Sequence, residues 1–350
     1  MGNKNSKVTI KEVAQAACVS IATVSRVMHG NYYVNPEICD RVRKVIDSLG
    51  YLPDSGAASL KTKFRYMIGY LVSDISNYQF TAISRAIENT IEGVGYSLIV
   101  CSNDSQKQRE LDYLKLLLSH RVDGLIINTV GENDKYIAEI SEYLPVVLLY
   151  RKISSKRFKG DFIGSDNNSG GVMLAETLIA KGHRSIGVIN GNPKINTFAE
   201  RFQGFTGRLV RDNIRFPQKH TMHGDYTKEG GYLMTEKLLG EAPGISALCI
   251  LNNAMALGAY EYFMMKKINV PGDISVVSFG DIQNEKLFYV KPTYVSQHLE
   301  TVGRRAAELL LSRIGTPALA PREEIVPVSL VPGASDTVRR DSAKRRRTLR

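Results

Sequence analysis

Three hydroxyls, Ser20, Thr23 and Ser25, open a short segment with an apolar stripe, and Arg26 follows directly. A helix beginning at Ser20 would turn free backbone N–H groups outward, and hydroxyls beside them suit contacts to phosphate. This is chemistry of binding rather than of bond cleavage. Catalytic patterns are missing from the rest of the chain. There is no glycine-rich phosphate loop, no zinc-protease histidine pair and no nucleophile elbow. His220 and His223 stand three apart in a strand-like stretch with no acidic or cysteine cluster nearby, so a chance pair is expected rather than a metal site. Glu323 and Glu324 are adjacent on a surface segment and would point to opposite sides. The reading is therefore no enzyme, no metal and no cofactor.

Charge supports a binding role. The 350 residues carry a net charge of +11, and it sits at the ends. Residues 1–65 hold ten Lys/Arg against five acids, and residues 339–350 hold seven against Asp341, which leaves the middle neutral. Basic ends on a neutral body suit a polyanion, although a solvated, disordered end is the default for 339–350. With 43% hydrophobic and 23% charged residues, the composition is that of a folded soluble protein. The longest apolar run, Leu144–Tyr150, is strand-sized and far short of the roughly 18 residues a membrane helix needs. The polar start, Met1–Lys7, lacks a secretory apolar core. Cys18, Cys39, Cys101 and Cys249 are widely spaced and read as small buried hydrophobes of a reducing cytoplasm.

The elements that must carry these residues follow from caps and periodicity. Thr9 with Glu12 forms a capping box ahead of Ile10, Val13, Ala14 and Ala17 on one face. After a break at Cys18-Val19, Ser20 caps a second helix that buries Val24, Val27 and Met28 before Gly30. Asn35-Pro36 starts a third, which Gly50 stops. Three short helices with a tight turn between the first two make a helix-turn-helix. Asp54–Lys61 is too short to be a stable helix alone.

From residue 66 the regime changes. Strands are predicted at Met67–Val72, Tyr96–Cys101, Gly124–Asn128, Val146–Leu149 and Phe162–Gly164. A second set follows at Ile186–Asn190, His220–His223, Ala247–Leu251 and Ile274–Ser278. Amphipathic segments lie between them, at Ala82–Val94, Gln106–His120, Gly170–Lys181, Lys228–Leu239 and Met255–Met265. The twice-repeated rhythm predicts two doubly wound parallel sheets with a ligand cleft beyond the strands' C-terminal ends. The fold class is α/β behind an all-α N-terminal domain. Its parts are a reader at 1–52, a linker at 53–65, a two-lobed body at 66–338 and a tail at 339–350.

Ordered motifs now point to a family. They begin with Val8-Thr-Ile-Lys-Glu-Val-Ala14, Val19-Ser-Ile-Ala-Thr-Val-Ser-Arg26 and Leu49-Gly-Tyr-Leu-Pro53. Asp74-Ile-Ser-Asn77, Arg121-Val-Asp-Gly124, Gly182-His-Arg184, Gly224-Asp-Tyr-Thr227, Met255-Ala-Leu-Gly258 and Val270-Pro-Gly-Asp-Ile-Ser275 follow in the body. From Val8 to about Asp336 the chain resembles the lac-repressor family of bacterial regulators, with two lobes like those of periplasmic binding proteins. The resemblance implies a homodimeric repressor that reads double-stranded operator DNA and answers to a sugar or sugar derivative.

By resemblance the base-reading positions are Ile21, Ala22 and Arg26, and the DNA-facing set is Thr9, Ser20, Ile21, Ala22, Thr23, Ser25, Arg26, Tyr51, Ala57 and Leu60. Arg26 can make a bidentate contact to a guanine, while Ile21 and Ala22 offer apolar contact only. The alternatives are that Arg26 meets phosphate alone and that Ile21 and Ala22 simply pack. Leu60 matches a leucine that wedges into the minor groove once the linker folds on DNA. Asp54, Gly56 and Ala58 depart from the family pattern there, and Gly56 weakens a helix by about 0.5–1 kcal/mol relative to alanine.

Family positions that line the effector cleft fall on Tyr78, Gln79, Phe80, Asn103, Tyr150 and Arg151 in the first lobe. In the second they fall on Asp166, Thr197, Arg201, Asn252 and Asp281. Gly280 and Tyr150 stand where acids are frequent in the family. The competing reading is a solute-binding protein of a transport system, and a complete N-terminal reader without a signal peptide counts against it.

Overall fold

A computed structural model describes residues 8–29, 33–51 and 64–336, and the chain divides into two units, residues 1–65 and 66–350. The predicted linker features at Asp54, Gly56, Ala57, Ala58 and Leu60, and the basic end at 339–350, lie outside the described residues.

The small unit has helices α1 (Ile10–Ala16), α2 (Ile21–His29) and α3 (Pro36–Leu49). Each start has a local cause. The Glu12 carboxylate accepts from the Thr9 backbone N–H at 2.6 Å and from its hydroxyl at 3.0 Å. Ser20 Oγ accepts from the Thr23 N–H at 3.1 Å, and Asn35 Oδ1 from the Glu37 N–H at 2.9 Å. Gly50 closes α3 at φ 60°, a left-handed conformation that costs glycine little. Val13, Ala14, Ala17, Val24, Val27, Val42 and Tyr51 make the core.

The large unit has two lobes, each with a six-stranded sheet. The first lobe uses β1 (Met67–Val72), β2 (Ser97–Ser102), β3 (Gly124–Ile127), β4 (Val146–Leu149), β5 (Asp161–Ser165) and β11 (Glu323–Val326). Their order is β11-β5-β4-β3-β1-β2, all parallel. The second lobe uses β6 (Ile186–Asn190), β7 (Thr221–His223), β8 (Ala247–Ile250), β9 (Ser275–Phe279), β10 (Thr293–Ser296) and β12 (Ser329–Val331). Their order is β12-β10-β9-β8-β6-β7, with only β12 antiparallel. Helices α4 (Tyr78–Glu92), α5 (Lys107–Ser119), α6 (Asp134–Ile140) and α11 (Leu299–Gly315) cover the first sheet. Helices α7 (Asn167–Ala180), α8 (Asn196–Arg211), α9 (Lys228–Glu241) and α10 (Asn253–Met265) cover the second. The chain crosses between lobes three times, after β5, after β10 and between β11 and β12.

The periodic segments fall close to their predicted bounds. Helix α4 starts at Tyr78 rather than at Ala82, because Asn77 Oδ1 caps it by accepting from the Gln79 N–H at 3.0 Å. Helices α6, α8 and α11 and strands β10, β11 and β12 were not predicted. Helix α8 holds Gly204 and Gly207, which weaken a helical pattern read locally. Its stability is tertiary. A Cβ on Gly204 would lie 2.1 Å from the Asn168 carbonyl oxygen, and one on Gly171 2.2 Å from that of Arg201, so α7 and α8 cross with backbones nearly touching. Gly171→Ala is therefore expected to cost about 1–3 kcal/mol through overpacking, read as a lower denaturation midpoint. An unchanged midpoint would mean the helices part without penalty.

Candidate functional site

In the small unit, the first turns of α2 present a mixed surface. Ile21 is 45% exposed, Ala22 and Arg26 are also exposed, and Val24 and Val27 behind them are buried. The alternation follows from helical spacing, since positions three and four apart share a face. Ser20 and Thr23 share a hydroxyl contact of 2.9 Å at the start of α2, beside the helix's free N–H groups. Thr9 is exposed at the start of α1, and Ser25 is half-buried. Tyr51 is 8% exposed, and its ring packs into the three-helix core.

In the large unit, a cavity of about 750 Å³ lies between the lobes, and strand ends and the loops after them build its walls. Several wall residues hold left-handed backbone: Asp104 (φ 49°), Ser105 (56°), Tyr150 (64°) and Tyr226 (57°). Non-glycine residues hold this conformation at a cost of order 1–3 kcal/mol each, and such strain clusters at functional sites. At Tyr150 it turns the chain sharply after β4, so both Tyr150 and Arg151 line the cavity.

Contacts cross the cleft. Asn253 Nδ2 donates to Asn77 Oδ1 at 2.9 Å, and Asn196 Nδ2 donates to the Tyr150 carbonyl at 3.4 Å. The Arg151 guanidinium lies 5.4 Å from the Tyr226 ring centroid, and Tyr226 stacks on Phe198 at 5.4 Å. The lobes are thus in a closed arrangement.

Arg201 comes from α8 and is 4% exposed. Its Nε donates to Asn167 Oδ1 and its Nη1 to the Leu251 carbonyl, each at 2.9 Å, and its guanidinium lies 3.8 Å from the Phe279 ring centroid. Burial lowers its pKa to about 9, with Tyr150 and Glu200 opposing the shift. Burial, reinforced by Asp281, pushes the Tyr150 hydroxyl well above the usual phenol value. Behind the opposite wall, buried Glu110 accepts from Val130 N–H at 2.8 Å, Asn133 Nδ2 at 2.9 Å and the Thr129 hydroxyl at 3.2 Å. Burial raises its carboxyl, and these bonds pull the other way. The loop it holds carries the Thr129 carbonyl, to which Arg151 donates at 3.1 Å.

Of the effector residues expected from sequence, Phe80, Arg151, Thr197, Arg201 and Asn252 lie on this cavity, as do Gln79 and Tyr150. Four do not. Tyr78 and Asp281 line a neighbouring depression, and Asp281 is occupied by the Ser296 hydroxyl at 2.6 Å and the Gln297 N–H at 2.9 Å. Asn103 is fully buried and braces its own turn by accepting from the Ser105 N–H at 2.9 Å. Asp166 caps α7, accepting from the Ser169 N–H at 3.0 Å. Asn128, Asn192, His223, Asp225 and Tyr226 also line the cavity and were not singled out as ligand residues. The motif Gly224–Thr227 marked the segment without revealing that its turn faces the cleft.

Among the described residues, no group of three or more His, Cys, Asp or Glu is arranged to hold a metal, and no helix is long and apolar enough to cross a membrane.

Comparison with known proteins agrees with this anatomy. The model for bacterial regulatory proteins of the lacI family matches residues 9–54, and that for a periplasmic binding protein-like domain matches residues 175–335. The HTH-type transcriptional repressor PurR of Serratia proteamaculans (strain 568) is 32% identical over 319 residues, spanning 90% of this chain and 92% of the relative. A crystal structure of the lac repressor dimer bound to operator and the anti-inducer ONPF matches with a TM-score of 0.81 at 26% identity, covering 95% of this chain and 100% of that one. A regulator from Enterococcus faecium with bound ribose matches at 0.71 and 26% identity, covering 78% of this chain and 100% of that one. The chain belongs to the lacI family of bacterial regulatory proteins and is a DNA-binding transcription regulator.

Proposed function

We propose that this protein is a cytoplasmic homodimeric repressor that reads a nearly palindromic operator and is switched by a small molecule in the cleft between its lobes. The observation that carries this reading is the exposed face of Ile21, Ala22 and Arg26 on α2, on the same chain as a closed two-lobed cavity. Residues 1–52 act as reader, 53–65 as hinge and 66–338 as sensor and dimerisation body. Residues 339–350 form a basic tail. In a twofold-symmetric dimer each protomer contributes one reader to one half-site, which imposes the palindrome. The effector, a sugar or sugar derivative, acts by binding one lobe arrangement more tightly than the other. We assign the cavity a binding role rather than a catalytic one, in line with the transcription repressors that the chain is similar to.

Selection from a random DNA pool with the full chain tests the reading. Recovery of a nearly palindromic sequence is expected, and recovery of no sequence preference would overturn it. Leu60 serves as the minor-groove wedge in this scheme. Leu60→Ala is expected to weaken binding to the selected operator about tenfold or more, since lost wedge contacts no longer offset the cost of bending DNA. Ligand-induced thermal shifts should stay unchanged, and a parallel loss of both would count against a wedge role.

A further inference from the structure

The cavity walls carry charge unevenly. Arg151, from the first lobe, is 9% exposed, and Arg201, from the second, is 4% exposed. Both bond only to neutral oxygens, of Thr129 for the first and of Asn167 and Leu251 for the second. Two carboxylates stand behind those neutral partners and not on the cavity wall. Glu110 holds the Thr129 loop, and Glu200 accepts from Asn167 Nδ2 at 2.9 Å.

The carboxylates that do line the cavity are exposed and already engaged. Asp74 accepts from the Ser76 N–H at 2.8 Å and its hydroxyl at 2.6 Å. Asp104 pairs with Arg109. Asp225 accepts from the Thr227 hydroxyl at 2.9 Å. The buried interior is thus rich in cationic donors and lacks a carboxylate. Two buried polar atoms of its lining residues lack a hydrogen-bond partner, the Tyr150 hydroxyl and Asn128 Oδ1, and the Asn128 amide nitrogen is spent on the Leu149 carbonyl at 2.9 Å.

We infer that the effector bears an anionic group, a carboxylate or a phosphate ester, seated between Arg151 and Arg201, together with a hydroxyl or N–H that donates to Asn128. This deepens the effector reading of the same cavity and rests on it. Two buried guanidiniums on facing lobes repel each other, and charged groups removed from water are costly unless paired. An anion between them turns that repulsion into two charge-assisted bonds, one from each lobe. The ligand charge itself then favours closure, which is the differential affinity a switch requires.

The test is thermal unfolding of the full chain at constant ionic strength with glucose, glucose 6-phosphate, gluconate or inorganic phosphate added. At least one anionic probe is expected to raise Tm by about 2 °C or more while glucose does not, because a ligand that binds only the native state stabilises it. A shift with glucose 6-phosphate alone identifies a phosphate ester, and one with gluconate alone a carboxylate. Arg201→Gln and Arg151→Gln should each abolish the shift, and the exposed Arg157→Gln should keep it. Arg201 also anchors α8, so Arg151→Gln, which gives up one bond to a carbonyl, decides the matter if Arg201→Gln folds poorly. The inference is overturned if glucose shifts Tm as far as the charged probes, if their shifts survive in both variants, or if no probe gives an arginine-dependent shift. An arginine-dependent shift with glucose would leave the effector cavity standing and remove only the anion. Operator selection reports separately on the regulator.

Discussion

Arg26→Ala is expected to lower affinity for the selected operator by roughly ten- to a hundredfold while leaving binding to unrelated DNA nearly unchanged. The expectation rests on what α2 offers to the major groove. Ile21 and Ala22 are exposed there, and neither can form a hydrogen bond through its side chain. Ser20 and Thr23 are engaged with each other at the helix start, where they suit phosphate. Arg26 is left to carry much of the hydrogen-bonded readout, and a bidentate arginine–guanine pair is worth about 1–3 kcal/mol of discrimination. Non-specific affinity comes from the summed basic charge of the reader and depends on salt, so one arginine changes it little. Mobility shifts on the selected operator and on a scrambled duplex, at two salt concentrations, make the distinction. Equal losses on both duplexes would assign Arg26 to phosphate alone.

How far the sequence announced this anatomy depends on the range of the forces involved. The reader was legible because its signals are local. Glu12 at Thr9, the Ser20 hydroxyl, Asn35-Pro36 and Gly50 each act within four residues of the helix end they set. Strands β1, β4 and β6 were legible as short apolar runs between polar helices. Helix α8 was not, because a local reading counts Gly204 and Gly207 against a helix, whereas Gly204 is what lets α7 approach. Strands β11 and β12 are short and lie at sheet edges, one in each lobe, so their pairing depends on partners far along the chain.

The cavity divides along the same line. Arg151, Thr197, Arg201 and Asn252, which the family resemblance assigned to the cleft, line the cavity. Asn103, Asp166 and Asp281 are polar residues of the same type and neighbourhood, yet nearby N–H and hydroxyl donors occupy them. Residue type alone does not distinguish a side chain that meets a ligand from one that braces its own turn. Tyr226 reaches the cleft from a left-handed turn, which no side-chain pattern reports.

Asp161 carries the largest expected effect on stability. It opens β5, is fully buried, and is shared by two arginines distant in sequence. Arg313 of α11 donates to it through Nη2 at 2.5 Å and Nε at 3.1 Å. Arg322, just ahead of β11, donates through Nη2 and its backbone N–H, both at 2.8 Å. One carboxylate therefore joins a sheet strand, the returning helix and the edge strand. Removing one partner of a buried ion pair leaves the other uncompensated, so Asp161→Asn is expected to cost about 3–5 kcal/mol at neutral pH. Arg313, 5% exposed, would be the stranded charge. Burial pushes the Asp161 carboxyl up, but the bonds from Arg313 and Arg322 outweigh this and hold it below the ordinary aspartate value. A group depressed in the folded state contributes stability above its unfolded pKa and loses it as pH falls through the lower folded value. The gap in denaturation midpoint between wild type and Asp161→Asn should therefore be widest near pH 7 and narrow below about pH 4, where the unfolded carboxyl takes up its proton. A gap that stays constant down to pH 3 would mean that Asp161 acts through packing and not through charge.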